Sequence, residues 1–295
     1  MEQPVCQGHQ ERDLIITGHR AAVLGAPVAH SLSPVLHRAA YQALDLDDWA
    51  YEAVECDEAR LPGLLGSLGP DWAGLSLTMP LKRAVLPLLD WAEPLVAEVT
   101  GANTVIFGSG GRLGYNTDVP GMIAALAEAG AAPAPDMVLV LGAGATACAA
   151  LGALRGTGAG EATVAVRNPA TAAPLLAVAD RLGLKVRLVR FGAEPAAERA
   201  EVHWQLLIST VPAGAADTYA DAILARALIP AAVLDVVYHP WPTRLASAAA
   251  QAGAVTVSGF ELLLHQAARQ VELMTGRDAP TAAMREAGQA ALAQR

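Results

Sequence analysis

Short apolar runs alternate with helical patterns along the first third of the chain. Residues 20–25 and 49–55 each predict a strand. In residues 75–78, leucines alternate with a serine and a threonine, which predicts a strand with one polar face. Pro80 then begins a helix that places Lys82 in its first turn. A lysine there faces the positive end of the helix dipole, so its position invites a functional explanation, although a solvated surface lysine is the alternative.

Two further helices are predicted in the same part of the chain. Ser33 is expected to cap the first helix, with Pro34 at its first helical position and an apolar stripe continuing to Leu44. The second helix is expected from about Asp57 to Leu68.

Residues 101–118 predict a β-hairpin with the same Asn-Thr dipeptide at both ends. Two short apolar runs flank a Gly-Ser-Gly-Gly turn, and Asp118 follows the second Asn-Thr pair. We expect this hairpin to serve as a scaffold that brings Asn103 and Asp118 to the mouth of a cleft.

The pattern changes after a helix that Gly130 closes. From Met137 onward, buried runs of strand length alternate with helical patterns, which predicts a parallel, doubly wound sheet. A long helix over Glu261–Thr275 and a final helix after Pro280 complete the chain. The polar residues 1–18 are expected to be an extension.

A glycine-rich turn follows the first of these later strands and opens a helix. Its residue types suit a dinucleotide, since glycine permits a tight turn and a close approach of backbone N–H groups to a pyrophosphate. A plain strand-to-helix turn is the alternative. The predicted cofactor-binding residues of this turn are Gly142, Ala143, Gly144, Ala145 and Thr146.

The end of the next strand favours NADP over NAD. An NAD site usually has a carboxylate there for the ribose hydroxyl, but none occurs between Glu161 and Asp180. Arg167 and Asn168 stand there instead, and an arginine suits a ribose 2′-phosphate. The alternative is a solvated arginine at a strand end.

Lys82 and Asp118 are the candidates for acid–base chemistry. A carbonyl that accepts a hydride needs a proton on its developing alkoxide, and a lysine held by a carboxylate can donate one. Small hydrogen-bonding groups that together suit a polyhydroxylated ligand lie at predicted turns and strand ends, although each alone is commonly a cap or turn residue. They are Ser31, Ser33, Ser76, Thr78 and Asn103.

Composition narrows the range of partners. The net charge is −9 with no basic cluster, which argues against nucleic acid. No apolar run is long enough for a membrane span, and the three cysteines lack C-x-x-C spacing, so we expect a cytoplasmic protein. The histidines show no metal-binding spacing, so no metal is expected, and the absence of G-x-S-x-G argues against an α/β-hydrolase.

These residues resemble the shikimate dehydrogenases over nearly the whole chain, from about Arg20 to Glu286. Six motifs occur in family order, and together they are far more specific than any one of them. They are G-A-P-V-A-H-S-L-S-P-V-L-H, G-L-S-L-T-M-P-L-K, the pair G-A-N-T and G-Y-N-T-D, S-T-V-P-A-G, D-V-V-Y-H-P-W-P-T-R-L, and G-F-E-L-L-L-H-Q-A-A.

The resemblance implies an α/β protein with a substrate domain of residues 1–118 and 259–295 and a Rossmann-like, doubly wound NADP-binding domain of residues 119–258, with a cleft between them. It implies reduction of 3-dehydroshikimate to shikimate with NADPH, in the pathway to aromatic amino acids. The sequence leaves open whether the protein is a monomer or a homodimer. The resemblance assigns the substrate carboxylate to Ser31 and Ser33 and catalysis to Lys82 and Asp118. The resemblance also implies that the substrate is contacted by Asn103, Tyr238 and Gln266. The nicotinamide is expected to lie along Val236 and Gly259.

Several positions depart from the family pattern. Ser76 replaces the usual asparagine, V-R-N replaces the usual N-R-T after the second strand of the nucleotide domain, and Glu261 stands where many members have glycine. Two alternatives stay open: an NAD-dependent quinate/shikimate dehydrogenase, and a nucleotide-binding regulator that has lost the chemistry. The missing carboxylate after that strand and Ser33, in place of a bulkier threonine, argue against the first, and the intact Lys82 argues against the second.

Overall fold

The computed structural model describes residues 19–131, 135–192 and 202–295, and their strands form two six-stranded sheets. The predicted extension over residues 1–18, and Cys6 within it, lie outside the described residues. None of the described helices is both long and apolar enough to cross a membrane.

The first sheet is mixed, in the order β2-β1-β3-β5-β6-β4. β1 pairs in parallel with β2 and β3, whereas β5 is antiparallel to β3 and to β6. The β5–β6 pair confirms the predicted hairpin, with Thr104 opposite Tyr115 at its open end. The strands are β1 (Arg20–Gly25), β2 (Ala50–Glu55), β3 (Trp72–Leu77), β4 (Trp91–Ala92), β5 (Thr104–Gly108) and β6 (Gly111–Tyr115).

Helices α1 and α10 pack on this sheet, with α1 against β1 and β2, and α11 packs on these two helices. α10 contacts β3 and β5. The helices are α1 (Ser33–Ala43), α2 (Leu61–Ser67), α3 (Leu81–Ala84), α4 (Pro94–Val99), α10 (Gly259–Thr275) and α11 (Thr281–Leu292).

Two local predictions were wrong. Ser33 is the first residue of α1 instead of its cap, and its side chain makes no capping bond. The reason is that Ser31 Oγ, two residues earlier, accepts the Ser33 N–H at 3.2 Å. The second helix begins at Leu61, later than expected, because Asp57 Oδ1 instead accepts the N–H of Arg60 in a preceding turn.

The second sheet is entirely parallel, in the order β12-β11-β10-β7-β8-β9, as the sequence predicted. Strand order reverses between β7 and β10, and ligands of such sheets bind at this point, beyond the carboxyl ends of the strands. The strands are β7 (Val138–Leu141), β8 (Glu161–Val166), β9 (Lys185–Arg190), β10 (Val202–Ser209), β11 (Leu228–Asp235) and β12 (Val255–Ser258).

Helices cover both faces of this sheet and bury two separate apolar clusters, one on each side. α5 packs on α6 and also on α10, so it links this sheet to the helices of the first one. Asp118 is the first residue of α5. The remaining helices are α5 (Asp118–Glu128), α6 (Ala145–Gly156), α7 (Ala173–Leu182), α8 (Asp217–Leu224) and α9 (Arg244–Gln251).

Candidate active site

A cavity of about 340 Å³ lies where residues that follow strands of both sheets face each other. The first sheet contributes the ends of β1 and β3, and the second contributes the start of α6 and the segment after β11. Eleven of the predicted site residues line it: Ser31, Ser33, Ser76, Thr78, Lys82, Asp118, Thr146, Val236, Tyr238, Gly259 and Gln266.

Lys82 and Asp118 form an ion pair in this cavity. Lys82 Nζ lies 2.6 Å from Asp118 Oδ2, and the two side chains are 15% and 8% exposed. Two charges with so little contact with water attract each other more strongly than a surface pair does. Removal of either partner would leave the other charge buried and unpaired, which costs free energy. The pair therefore holds a charged amine at a fixed point of the cavity wall.

The backbone explains how two residues 36 positions apart meet. The Lys82 carbonyl accepts the N–H of Ala102, so α3 is joined to the start of the hairpin. Asp118 follows the hairpin at the N-terminus of α5, where a carboxylate is favoured by the helix dipole. The dipole argument for Lys82 itself was wrong, because α3 is a single turn of four residues and has little dipole to oppose the charge.

Asn103 does not line the cavity but supports residues that do. It is 1% exposed, and its Nδ2 donates to Asp118 Oδ1 at 3.1 Å and to Gln266 Oε1 at 3.1 Å. Its Oδ1 accepts the N–H of Thr117 at 2.7 Å. The amide thus orients the second oxygen of Asp118, while its predicted contact with substrate stays a prediction.

Ser76 belongs to a hydrogen-bonded chain that the sequence did not reveal. Tyr51 donates its hydroxyl to Ser76 Oγ at 2.6 Å, and Ser76 donates to Gln270 Oε1 at 2.7 Å. Gln270 Nε2 donates onward to Thr104 Oγ1 at 3.0 Å. Burial raises the pKa of the Tyr51 phenol far above its ordinary value, so this group stays a neutral donor. A signal for Gln270 exists in hindsight: it stands four residues after Gln266, on the same face of α10.

The glycine-rich turn has the features that a dinucleotide needs. Gly142 has a φ of +109°, and a Cβ there would lie 2.6 Å from Thr210 Oγ1, so only glycine fits. Gly144 faces open space, and no side chain caps the N-terminus of the twelve-residue α6. The first N–H groups of α6 are therefore open to phosphate oxygens, and the turn fits a pyrophosphate.

The predicted 2′-phosphate contacts lie at the end of β8, next to this turn in the sheet. Arg167 and Asn168 are both exposed. Asn168 Oδ1 accepts the N–H of Ala170 at 3.1 Å, which shapes the turn that follows. Neither residue lines the cavity, as expected for groups that would meet the far end of a long cofactor.

Comparison with known proteins identifies the family. Residues 23–105 match the family model of the shikimate dehydrogenase substrate binding domain, and residues 259–287 match that of the shikimate 5′-dehydrogenase C-terminal domain. A shikimate dehydrogenase (NADP(+)) of Thermus thermophilus is 38% identical over 275 residues, which cover 92% of this chain and 98% of that protein. The chain belongs to the shikimate dehydrogenase family.

Solved structures of this family share the fold. A shikimate dehydrogenase of Mycobacterium tuberculosis has a TM-score of 0.83 at 43% identity, with 92% of this chain and 99% of that chain covered. The shikimate 5-dehydrogenase of Thermus thermophilus, solved in complex with NADP(H) and shikimate, has a TM-score of 0.78 at 34% identity, with 92% and 99% covered. The two-part α/β architecture predicted from the sequence is confirmed.

One cluster of possible metal ligands occurs among the described residues of this shikimate dehydrogenase family member. It consists of Glu128, Glu261 and His265, whose ligand atoms lie within 4.8 Å of one another. Arg285 donates to both carboxylates, and His265 Nε2 lies 2.7 Å from Glu128 Oε2. The Arg285 guanidinium already supplies positive charge to the two carboxylates. The cluster thereby connects α5, α10 and α11. Glu261, a departure from the family glycine, thereby has a structural partner.

His37 is a buried side chain that contacts the backbone of Ser33, one of the residues that line the cavity. Its Nδ1 donates to the Ser33 carbonyl at 2.9 Å, and its ring stacks on Tyr51 with centroids 3.9 Å apart. Complete burial lowers the pKa of His37 to about 4. The ring is therefore neutral at pH 7, with its proton on Nδ1.

This histidine should make stability depend on pH. The pKa of His37 is lower in the folded than in the unfolded chain. The neutral ring therefore contributes to the free energy of unfolding in full above about pH 6.5, and this contribution is lost as the pH falls toward 4. We expect the free energy of unfolding to fall between pH 7 and pH 5 by about 2 kcal/mol more in the wild type than in His37→Phe. Urea unfolding of both proteins at both pH values measures this difference, and equal losses would contradict it.

Proposed function

We propose that the protein catalyses the reversible reduction of 3-dehydroshikimate to shikimate with NADPH. The observation that carries this proposal is the ion pair of Lys82 and Asp118 in a cavity whose opposite wall comes from the dinucleotide-binding sheet. The relatives support the same reaction, since they are named shikimate dehydrogenase (NADP(+)) and one solved neighbour holds NADP(H) and shikimate.

The residues of the turn at Gly142–Thr146 would hold the pyrophosphate of NADPH, which supplies the hydride when bound. Val236 and Gly259, which line the cavity, would lie along the nicotinamide. Arg167 and Asn168 would contact the 2′-phosphate.

Lys82 would act as the general acid. Its Nζ donates a proton to the alkoxide oxygen that forms as the substrate carbonyl is reduced, and it takes the proton back in the reverse direction. Asp118 holds the amine in place and balances its charge, and Asn103 holds Asp118. The partial burial of this pair lets the ammonium stabilise the developing negative charge more strongly than it would in water.

The remaining polar residues of the cavity would fix the orientation of the substrate. Ser31, Ser33 and Tyr238 line the cavity, and their hydroxyls would bind the carboxylate. Thr78 and Gln266 also line the cavity and would bind ring hydroxyls. Gln266 shares the Asn103 amide with Asp118. Ser76 already has both a donor and an acceptor partner, so a substrate hydroxyl would meet only its remaining lone pair.

We further propose a cytoplasmic enzyme, monomeric or homodimeric, that needs neither a metal nor a nucleic acid partner. The free cysteines Cys56 and Cys148 are both buried, and a cytoplasmic location is consistent with such unpaired thiols.

A spectrophotometric assay of NADPH oxidation with 3-dehydroshikimate tests the proposed function. We expect saturable turnover, and its absence with intact NADPH binding would favour a regulator without catalysis. The reverse reaction, run with shikimate and quinate and with NADP and NAD, tests the quinate/shikimate alternative. A higher kcat/KM for quinate with NAD than for shikimate with NADP would replace our proposal with that alternative.

Arg167 should determine the choice of cofactor. An arginine that contacts the 2′-phosphate adds charge-assisted hydrogen bonds that NAD lacks, and their loss in Arg167→Ala should raise the KM for NADP about 10- to 100-fold. The KM for NAD should change little. Arg187→Ala removes an exposed arginine from the neighbouring strand β9 and is the matched control. Equal effects of Arg167→Ala on both cofactors would show that this residue does not contact the 2′-phosphate.

A further inference from the structure

The C-terminal helix returns the chain to the cavity wall. α11 packs on α1, where Gly288 permits close approach: a Cβ there would lie 2.8 Å from Leu36. After the helix ends, the Arg295 N–H donates to the Leu292 carbonyl at 3.2 Å. The side chain of Arg295 reaches the loop that carries Ser31, where it meets the carbonyl of His30.

Arg295 contacts the cavity wall directly. Its Nη1 donates to the carbonyl of His30 at 2.7 Å, and the Tyr238 hydroxyl donates to the same oxygen at 3.4 Å. His30, Ser31 and Tyr238 all line the cavity. The guanidinium and the phenol therefore share one carbonyl oxygen, in the loop that leads directly to Ser31.

The charges of the residues that line the cavity show why an arginine beside it matters for substrate binding. Among its lining residues, Lys82 and Asp118 carry opposite formal charges and neutralise each other. The serines and Tyr238 offer neutral hydroxyls, and the whole chain carries a net charge of −9. A carboxylate substrate entering the cavity thus meets no uncompensated positive charge from the lining residues, and Arg295 supplies one beside the wall.

We propose that Arg295 is a further substrate-recognition residue, which attracts and orients the substrate carboxylate toward Ser31, Ser33 and Tyr238. This inference rests on the proposed function for the identity of the substrate. A guanidinium suits the role because it stays charged and keeps free N–H groups after it has donated to His30. The remaining N–H groups would donate to the carboxylate or attract it from beside the cavity.

The test compares a charged ligand with its neutral ester, which keeps the same ring and hydroxyl groups. We would measure the Kd of shikimate and of its methyl ester by calorimetry, and the kcat and KM of shikimate with NADP, for the wild type, Arg295→Gln and Arg295→Lys. Arg295→Gln should weaken shikimate binding about 3- to 10-fold and leave ester binding and kcat nearly unchanged. Arg295→Lys should retain most of the preference for the carboxylate, and added salt should weaken shikimate binding more in the wild type than in Arg295→Gln.

Arg277→Gln is the matched control. Arg277 is also an exposed arginine that donates to a backbone carbonyl, that of Leu44 at 2.8 Å, and its loss changes the net charge equally. Its effect on shikimate binding should be negligible. Equal losses for acid and ester in Arg295→Gln would show that Arg295 only braces the His30 loop, and no loss in either would also overturn the proposal. Failure of the wild type to turn over shikimate would instead overturn the proposed function, whereas the ratio of the two Kd values reports on Arg295 without turnover.

Discussion

Replacing Lys82 with alanine should lower kcat by about 10²- to 10⁴-fold, the range for loss of a positioned general acid. The KM of the substrate should change little, because the lysine acts on the charge that develops as the carbonyl is reduced and contributes less to the ground state. Initial rates of NADPH oxidation at varied 3-dehydroshikimate concentration separate the two parameters.

The chain offers an unusually clear control, since Lys185 is its second and last lysine. Lys185 lies exposed at the start of β9, so Lys185→Ala should keep wild-type kinetics. Circular dichroism of Lys82→Ala should match the wild type, which separates a loss of chemistry from a loss of fold. If Lys82→Ala kept near-normal turnover, the general acid would have to be another group.

Replacing Gly259 with alanine should lower kcat/KM about 100-fold and destabilise the fold by about 1–3 kcal/mol. A Cβ at this position would lie 2.0 Å from the Val236 carbonyl oxygen and 2.3 Å from its carbon. Backbone atoms cannot yield as a side-chain tip can, so α10 and the segment after β11 would have to move apart by about 1 Å. Both line the cavity, and a misplacement of that size is enough to disturb hydride transfer.

Gly63→Ala is the control for this substitution. Gly63 lies in α2, and a Cβ at this position would meet no other atom within 4 Å, so alanine there should be neutral or stabilise by up to about 1 kcal/mol. Thermal unfolding and steady-state kinetics of both variants measure these effects. Wild-type kcat/KM in Gly259→Ala would mean that the two segments tolerate the shift and that their close approach is not needed for catalysis.

The sequence predicted the parts of the molecule that depend on neighbours in the chain. Strand and helix periods, the β5–β6 hairpin and the glycine-rich turn before α6 are all local patterns, and the structure confirms them. The two local errors, at Ser33 and at the start of α2, arise because several adjacent polar residues can compete for the same backbone N–H. Sequence pattern does not decide such a competition, whereas the geometry of the turn does.

Contacts between segments that are distant in the sequence could not be predicted from local sequence patterns. The Ser76–Gln270 hydrogen bond joins residues 194 positions apart, and Asn103 reaches Gln266 across 163. No periodicity carries that information, because each partner looks like an ordinary polar residue on its own element. The sequence therefore did not reveal that the Asn103 amide holds Asp118 and Gln266, and its predicted contact with the substrate stays a prediction.

By itself, the sequence determined the α/β class, the family, and the residue types for dinucleotide binding and proton transfer, because ordered motifs specify turns and side chains directly. Only the tertiary structure decided that Lys82 Nζ and Asp118 Oδ2 lie 2.6 Å apart, that Ser76 accepts from Tyr51 and donates to Gln270, and that Arg295 lies beside His30. The physical reason is that each of these contacts joins segments that lie far apart in the sequence. The hairpin places Asp118 beside α3, whereas α10, packed on the first sheet, and α11, packed on α1, bring Gln270 and Arg295 to residues from the first part of the chain.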